Sequence, residues 1–312
     1  MMYWKNSSKQ QAKNEFAPEK IGSKLSYIQG ERKMDFSKTV FENAMEKGSP
    51  LLAAHRGVCG ANIPCNTLAA YQIAVDQGAD VVEIDVTKSK EGVYFVFHPF
   101  MEPVFLKSDK LIPEMTAEEV KKLPLRNQDD VPTHYTVPTL QEVLALLKDK
   151  VYINVDKFWM DVEGITNEIR KAGVEKQVIV KTPLKEEFLQ QVEQYAPDLM
   201  FCAVAWHKDE ITKKLLKRNI NLVAIEALFD KESDEIISDE YIRWMHDREL
   251  LVWVNSIVYN EAEVISAGHT DDISLTESPE LGWGWLVGKN VDFIQTDWLL
   301  SLRAYLEKRG AV

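Results

Sequence analysis

Short apolar runs alternate with amphipathic stretches along most of this chain. The runs cover 51–54, 79–85, 151–156, 177–181, 201–205, 221–225, 250–254 and 291–296. Between them, 68–77, 162–172, 186–195, 210–218, 239–248 and 261–268 carry apolar residues at helical spacing. Strand–helix alternation predicts a parallel sheet. Eight such units in about 250 residues are what a (β/α)₈ TIM barrel requires. A doubly wound open sheet is the alternative. The glycine-rich phosphate loop it often carries is absent, with no GxGxxG after the first run and no Walker sequence.

Two segments break the alternation. Residues 86–97 are too few for a crossover helix and hold Lys90-Glu91-Gly92 in their middle, which predicts a β-hairpin. The stretch 100–138 holds Pro103, Pro113, Pro124, Pro132 and Pro138 and reads as an inserted segment after the second strand. A further irregular stretch, 270–290, carries Trp283 and Trp285; it could form a lid, a dimer contact or a lipid-touching edge. The expected organisation is an N-terminal extension over 1–49 and a barrel over 50–312. Residues 1–33 are polar and lysine-rich without an apolar stretch, which suggests a disordered or loosely held arm rather than a secretion signal. Met34 is a candidate alternative start.

Charge and cysteine content narrow the function. The 312 residues carry a formal net charge of -12, against a nucleic-acid binder that needs a basic face. A phosphorylated substrate stays open, because a cation can invert the sign inside one pocket. The three cysteines, Cys59, Cys65 and Cys202, do not form a disulfide framework or a zinc-site spacing, so a reducing compartment, the cytoplasm, is expected. No run approaches the ~20 apolar residues of a membrane helix.

Barrel enzymes carry reactive groups at the C-terminal ends of their strands. Here the first strand ends in His55-Arg56-Gly57, the third at Asp156 and the eighth at Gln295 and Asp297. On the second, Glu83 and Asp85 are two apart and share one face, while Val82 and Ile84 turn to the other. Two inward carboxylates are costly without a cation between them. Oxygen ligands suit Mg²⁺, Ca²⁺ or Mn²⁺; salt bridges to interior Lys or Arg are the alternative. The hairpin returns His98 to the level of Glu83, and His55 approaches from the neighbouring strand. Two imidazoles flanking such a group can act as a general acid–base pair. His134, His207, His246 and His269 read as surface or packing residues, with His207 alone near the expected mouth.

These residues in this order resemble the glycerophosphodiester phosphodiesterase family. The matching motifs are His55-Arg56-Gly57, Pro64-Cys65-Asn66-Thr67, Gly78-Ala79-Asp80, Glu83-Ile84-Asp85-Val86, His98-Pro99, Pro138-Thr139-Leu140-Gln141-Glu142, Trp253-Val254-Asn255 and Ile294-Gln295-Thr296-Asp297. The resemblance implies His55 and His98 as catalytic pair, Glu83, Asp85 and Asp156 as metal ligands, and Arg56 as phosphate ligand. Lys157, Lys181 and Trp253 are further candidates on the substrate side. It also implies a small-molecule phosphodiester substrate, cleaved to glycerol 3-phosphate and an alcohol, with the substrate's own glycerol hydroxyl as first nucleophile. Related activities on lysophospholipids or other polyol phosphodiesters, or a barrel that only binds a phosphorylated ligand, are the alternatives.

The chain departs from the family pattern at three places. Cys65 replaces a glutamate, Pro99 an aspartate that could orient His98, and Asp156 a glutamate. The family lysine two residues past that acid is Phe158 here. Lys157 would face outward on a regular strand unless a bulge turned it in, and Lys181 is the other source of that charge.

Overall fold

The computed structural model describes residues 34–310 except residue 261. The expected N-terminal arm, 1–33, lies outside the described residues. Strands β1 (Leu51–Ala54) and β2 (Val81–Lys88) open the fold, and β3 (Tyr94–Val96) folds back antiparallel on β2. The turn between them runs over Ser89 to Gly92, with Gly92 at φ 84. A small antiparallel pair, β4 (Pro124–Arg126) and β5 (Pro132–Thr136), follows in the insertion. The rest are β6 (Tyr152–Asp156), β7 (Val178–Pro183), β8 (Met200–Ala205), β9 (Leu222–Ala227), β10 (Leu251–Asn255) and β11 (Phe293–Thr296).

Parallel pairing runs β1-β2-β6-β7-β8-β9-β10-β11, and β11 pairs back onto β1. The sheet is therefore a closed eight-stranded barrel, and the open doubly wound alternative is excluded. Helices α1 (Val40–Lys47), α2 (Leu68–Asp76), α3 (Glu102–Phe105), α4 (Ala117–Lys122), α5 (Leu140–Leu147), α6 (Val162–Ala172), α7 (Glu186–Tyr195), α8 (Lys208–Lys214), α9 (Asp239–His246), α10 (Asp271–Thr276), α11 (Trp285–Gly288) and α12 (Leu299–Lys308) complete the fold. Those between barrel strands supply the crossovers. Thr139 and Glu142 form a reciprocal capping box at α5, and Thr67 caps α2.

Strand alternation sorts the barrel into two faces. Leu52, Ala54, Val82, Ile84, Ile153, Val155 and Val180 face the helices in the main core. The opposite phase, with Leu51, Ala53, Val81, Tyr152, Ile179, Trp253 and Phe293, fills a second apolar cluster inside the barrel. Val40 and Ala44 of α1 belong to that inner cluster, with Met34 and Phe36 against it, and Asn43 Nδ2 donates to Tyr152 Oη at 2.7 Å. Residues 34–47 thus close the lower end of the barrel instead of extending away from it. The insertion packs on Phe95 and Phe97 of the hairpin, in a separate core with its own Leu106, Ile112, Met115, Val120, Leu125 and Val137.

Three expectations are corrected. No helix forms over the described part of 261–268: Ser266 bridges to Phe229, and the Asn260 side chain accepts from Ala262 N and Glu263 N. The Trp283 side chain is buried, its Nε1 donating to Asp271 at 2.7 Å, and Trp285 stacks on His269 at 3.9 Å, so these rings pack inward and form no lid. Finally, Cys59 and Cys65 form a disulfide with Cα atoms 5.0 Å apart, leaving buried Cys202 as the free cysteine. Parity of cysteines concealed this pair and with it falls the cysteine argument for a reducing compartment. No helix among the described residues is long and apolar enough to cross a membrane.

Candidate active site

Above the apolar inner cluster the inward phase turns polar. It continues as Glu83 and Asp85 on β2, Asn154 and Asp156 on β6, Lys181 on β7, Glu226 on β9 and Asn255 on β10. One carboxylate oxygen each from Glu83, Asp85 and Asp156 lie within 4.8 Å of one another. Glu83 and Asp85 are fully buried. Burial and the charge of Asp85 push Glu83 well above the usual carboxylate range.

The loop after β1 grips both of these acids. Arg56 is left-handed at φ 56; its backbone N–H donates to Glu83 Oε2 at 3.0 Å, and its Nε lies 3.0 Å from Asp85 Oδ2. Gly57 follows at φ 80, where an added Cβ would sit 2.8 Å from the Ala70 carbonyl carbon, so only glycine lets the turn dock on α2. Asn66, also left-handed at φ 57, donates from Nδ2 to Asp85 Oδ2 at 3.0 Å and accepts from Tyr71 Oη at 2.7 Å. Burial keeps the Tyr71 phenol protonated and able to donate.

The two motif histidines flank this cluster. His55 Nδ1 lies 2.8 Å from Asp297 Oδ1. Burial draws the His55 imidazole down, but the Asp297 hydrogen bond and the charges of Glu83 and Asp297 outweigh it and hold it above its ordinary value. His98 Nε2 lies 4.0 Å from Asp85 Oδ1. Just before His98, Phe97 N donates to Asp85 O at 2.9 Å, tying the end of the hairpin to the strand that carries both acids. His98 Nδ1 is 2.9 Å from its neighbour's carbonyl, Pro99 O. That carbonyl supplies the acceptor that the family aspartate would have given. Burial lowers His98, with Arg56 and Lys157 adding to the effect and Asp85 opposing it.

Lysines complete the rim. Lys157 adopts φ 60, and this left-handed residue, not a bulge, turns its side chain inward. Its Nζ lies 2.7 Å from Asp156 Oδ2 and 3.8 Å from Asp85 Oδ1. Lys181 Nζ is buried and pairs with Glu226 Oε2 at 3.0 Å. Burial alone would raise Asp156, but Lys181 and Lys157 hold it well below the usual carboxylate range.

Glu226 was not singled out from sequence, although it ends a strand on the inward phase as Asp85 does. Its Oε1 accepts from Asn255 Nδ2 at 2.8 Å, and Asn255 Oδ1 lies 3.3 Å from Trp253 Nε1. Trp253 itself is 1% exposed and stacks on Phe293 at 4.7 Å. It sits in the inner apolar cluster below the polar residues and reaches them through Asn255. The other histidines stand apart: His134 and His207 are exposed, His246 bonds Asp292, and His269 bonds Glu232.

The donor set fits a hard divalent cation. Asp85 Oδ1 is buried without a hydrogen-bond partner, and so are Asn154 Oδ1 and Gln295 Oε1 on the same inward phase. Unsatisfied buried acceptors of this kind call for a cation or ordered water. Two buried acids beside a third within ligand distance supply the charge that oxygen ligation requires.

Comparison with known proteins finds relatives in both sequence and fold. The sequence model of the glycerophosphoryl diester phosphodiesterase family matches residues 55–254. A glycerophosphodiester phosphodiesterase of Caldanaerobacter subterraneus is 32% identical over 157 residues, 48% of this chain and 64% of that protein. One from Bacillus altitudinis is 32% identical over 126 residues, 40% of this chain and 49% of that protein. These alignments thus span under two thirds of either relative. Among solved structures, a glycerophosphoryl diester phosphodiesterase from Parabacteroides distasonis superposes with TM-score 0.70 at 19% identity, covering 86% of this chain and 92% of the other. A phosphodiesterase of Oleispira antarctica in complex with the product sn-glycerol-3-phosphate gives TM-score 0.58 at 18% identity, covering 85% and 99%. With the family model spanning well over half of the sequence, from His55 through Val254, this chain belongs to the glycerophosphoryl diester phosphodiesterase family.

Proposed function

We propose that this chain is a metal-dependent phosphodiesterase that cleaves glycerophosphodiesters to glycerol 3-phosphate and an alcohol. The observation that carries the reading is the placement of His55 and His98 beside the three clustered carboxylates. Glu83, Asp85 and Asp156 would hold Mg²⁺, Ca²⁺ or Mn²⁺. When bound, such a cation supplies positive charge that polarises the phosphoryl oxygens.

The tautomers divide the work between the histidines. The Pro99 carbonyl can only accept, so His98 carries its proton on Nδ1 and offers an Nε2 lone pair to the site. His98 is therefore the first base, removing the proton of the substrate's 2-hydroxyl as that oxygen attacks phosphorus. An attached nucleophile is already close and oriented. Asp297 stabilises the His55 imidazolium, whose Nε2–H protonates the leaving alcohol. Water then opens the cyclic phosphate with the two rings exchanging roles. Arg56 and Lys157 add fixed positive charge at the same place. The orientation that Pro99 O gives His98 weighs against the reading of a barrel that only binds.

Two substrates differing only in that hydroxyl test the mechanism. The glycerophosphodiester is hydrolysed, and its 2-deoxy analogue binds but is nearly inert. Similar rates for both would mean direct attack by water and end the proposed first step. His55→Ala and His98→Ala each lower kcat by about 10²–10⁴-fold without unfolding the barrel.

A further inference from the structure

We propose that the Cys59–Cys65 disulfide is a positioning brace for Arg56 and Asn66, so that the geometry of the carboxylate cluster depends on the redox state of this bridge. This rests on the functional reading above. The bridge closes a loop whose two ends are the residues that grip the acids. Asn66 N donates to Arg56 O at 3.0 Å, joining the ends just outside the disulfide. Within the loop, Gly60 and Ile63 exchange backbone hydrogen bonds of 2.9 Å.

One end reaches Glu83 through Arg56 N, and the other reaches Asp85 through Asn66 Nδ2. Both Arg56 and Asn66 are left-handed non-glycine residues, a backbone state that persists only where surroundings over-determine it. Cys65 also lines a small cavity with Arg56, Asn66, Phe97, His98 and Leu125, so the bridge forms part of the wall beside a catalytic ring. Both cysteines are half-buried rather than part of the closed core.

A dithiol opens the bridge by exchange. One thiolate of the dithiol attacks Cys65 Sγ, and the Cys59 thiolate leaves. The second thiolate then closes the reagent's own disulfide and releases Cys65. Two electrons pass to the protein, and two protons from solvent complete the protein thiols. The loop that positions Arg56 and Asn66 then keeps only its noncovalent ties.

The test compares the whole chain before and after dithiothreitol, desalted without air. Unfolded in denaturant, the untreated protein should titrate one thiol, Cys202, and the reduced protein three. Reduction should weaken calorimetric binding of Mn²⁺ alone several-fold and lower kcat/KM for glycerophosphocholine by at least about tenfold, since a misplacement of about 1 Å at a site can cost about a hundredfold. Cys59→Ser and Cys65→Ser should match the reduced protein and no longer respond, while Cys202→Ser should respond like the original. Three thiols before reduction, or equal Mn²⁺ affinity in both forms, would overturn the brace. If neither form turns over substrate, the proposed function fails, and the Mn²⁺ comparison still decides the role of the bridge.

Discussion

His55 Nδ1 and Asp297 Oδ1 lie 2.8 Å apart across a sequence separation of 242 residues. The pair exists because β11 closes the barrel onto β1, with Thr296 level with Ala54 and each chain then turning out at the mouth. Asp297 fixes the His55 tautomer and favours its charged form.

Replacing Asp297 with Asn should lower kcat by at least about tenfold, because the positioned acid loses its partner. The sign of the pH effect follows from the role. If His55 must be protonated, activity falls as pH rises through its pKa. Losing the carboxylate lowers that pKa, so the alkaline limb of the kcat profile should move to lower pH. An unshifted limb would remove His55 from the role of acid.

The buried Lys181–Glu226 pair should behave as one unit. Lys181→Met leaves buried Glu226 without its cation and should destabilise the fold by about 3 kcal/mol. Adding Glu226→Leu should recover part of that loss. A double-mutant cycle by urea denaturation should give a coupling of at least about 1 kcal/mol, and additive effects would contradict the pairing.

Stability should also depend on pH through His246. The hydrogen bond to Asp292 raises its pKa, with burial opposing. The ring is therefore more readily charged in the folded chain than in the unfolded one, where it titrates near 6.5. Its contribution is present in full below that value and fades as pH rises through the higher folded value. His246→Gln should cost about 0.5 kcal/mol at pH 5.5 and less at pH 8.5. Equal costs at both pH values in urea titrations would count against it.

The barrel was legible because strand alternation and inward acids are written into short-range sequence. Glu83 and Asp85 declare themselves through apolar Val82 and Ile84 between and beside them, and the short 86–97 stretch announces the hairpin that carries His98. What sequence could not carry was backbone handedness and distant partnership. Lys157 points inward only through a left-handed residue, and Glu226 matters through Lys181 and Asn255 on other strands. Trp253 matched a motif, yet its phase puts it in the inner apolar cluster. The 261–268 stretch had helical spacing, but tertiary pairing of Ser266 with Phe229 prevailed over it. The Cys59–Cys65 pair was hidden because an odd cysteine count argued against any bridge.

Hydrolysis of glycerophosphocholine can be followed as glycerol 3-phosphate released with added Mg²⁺, Ca²⁺ or Mn²⁺, and again after exhaustive chelation. Release should occur with at least one of these cations, be lost on chelation and return when the cation is added back, and Glu83→Gln should raise the cation requirement. No glycerol 3-phosphate with any of the three cations, or undiminished release after chelation, would rule out a metal-dependent glycerophosphodiesterase.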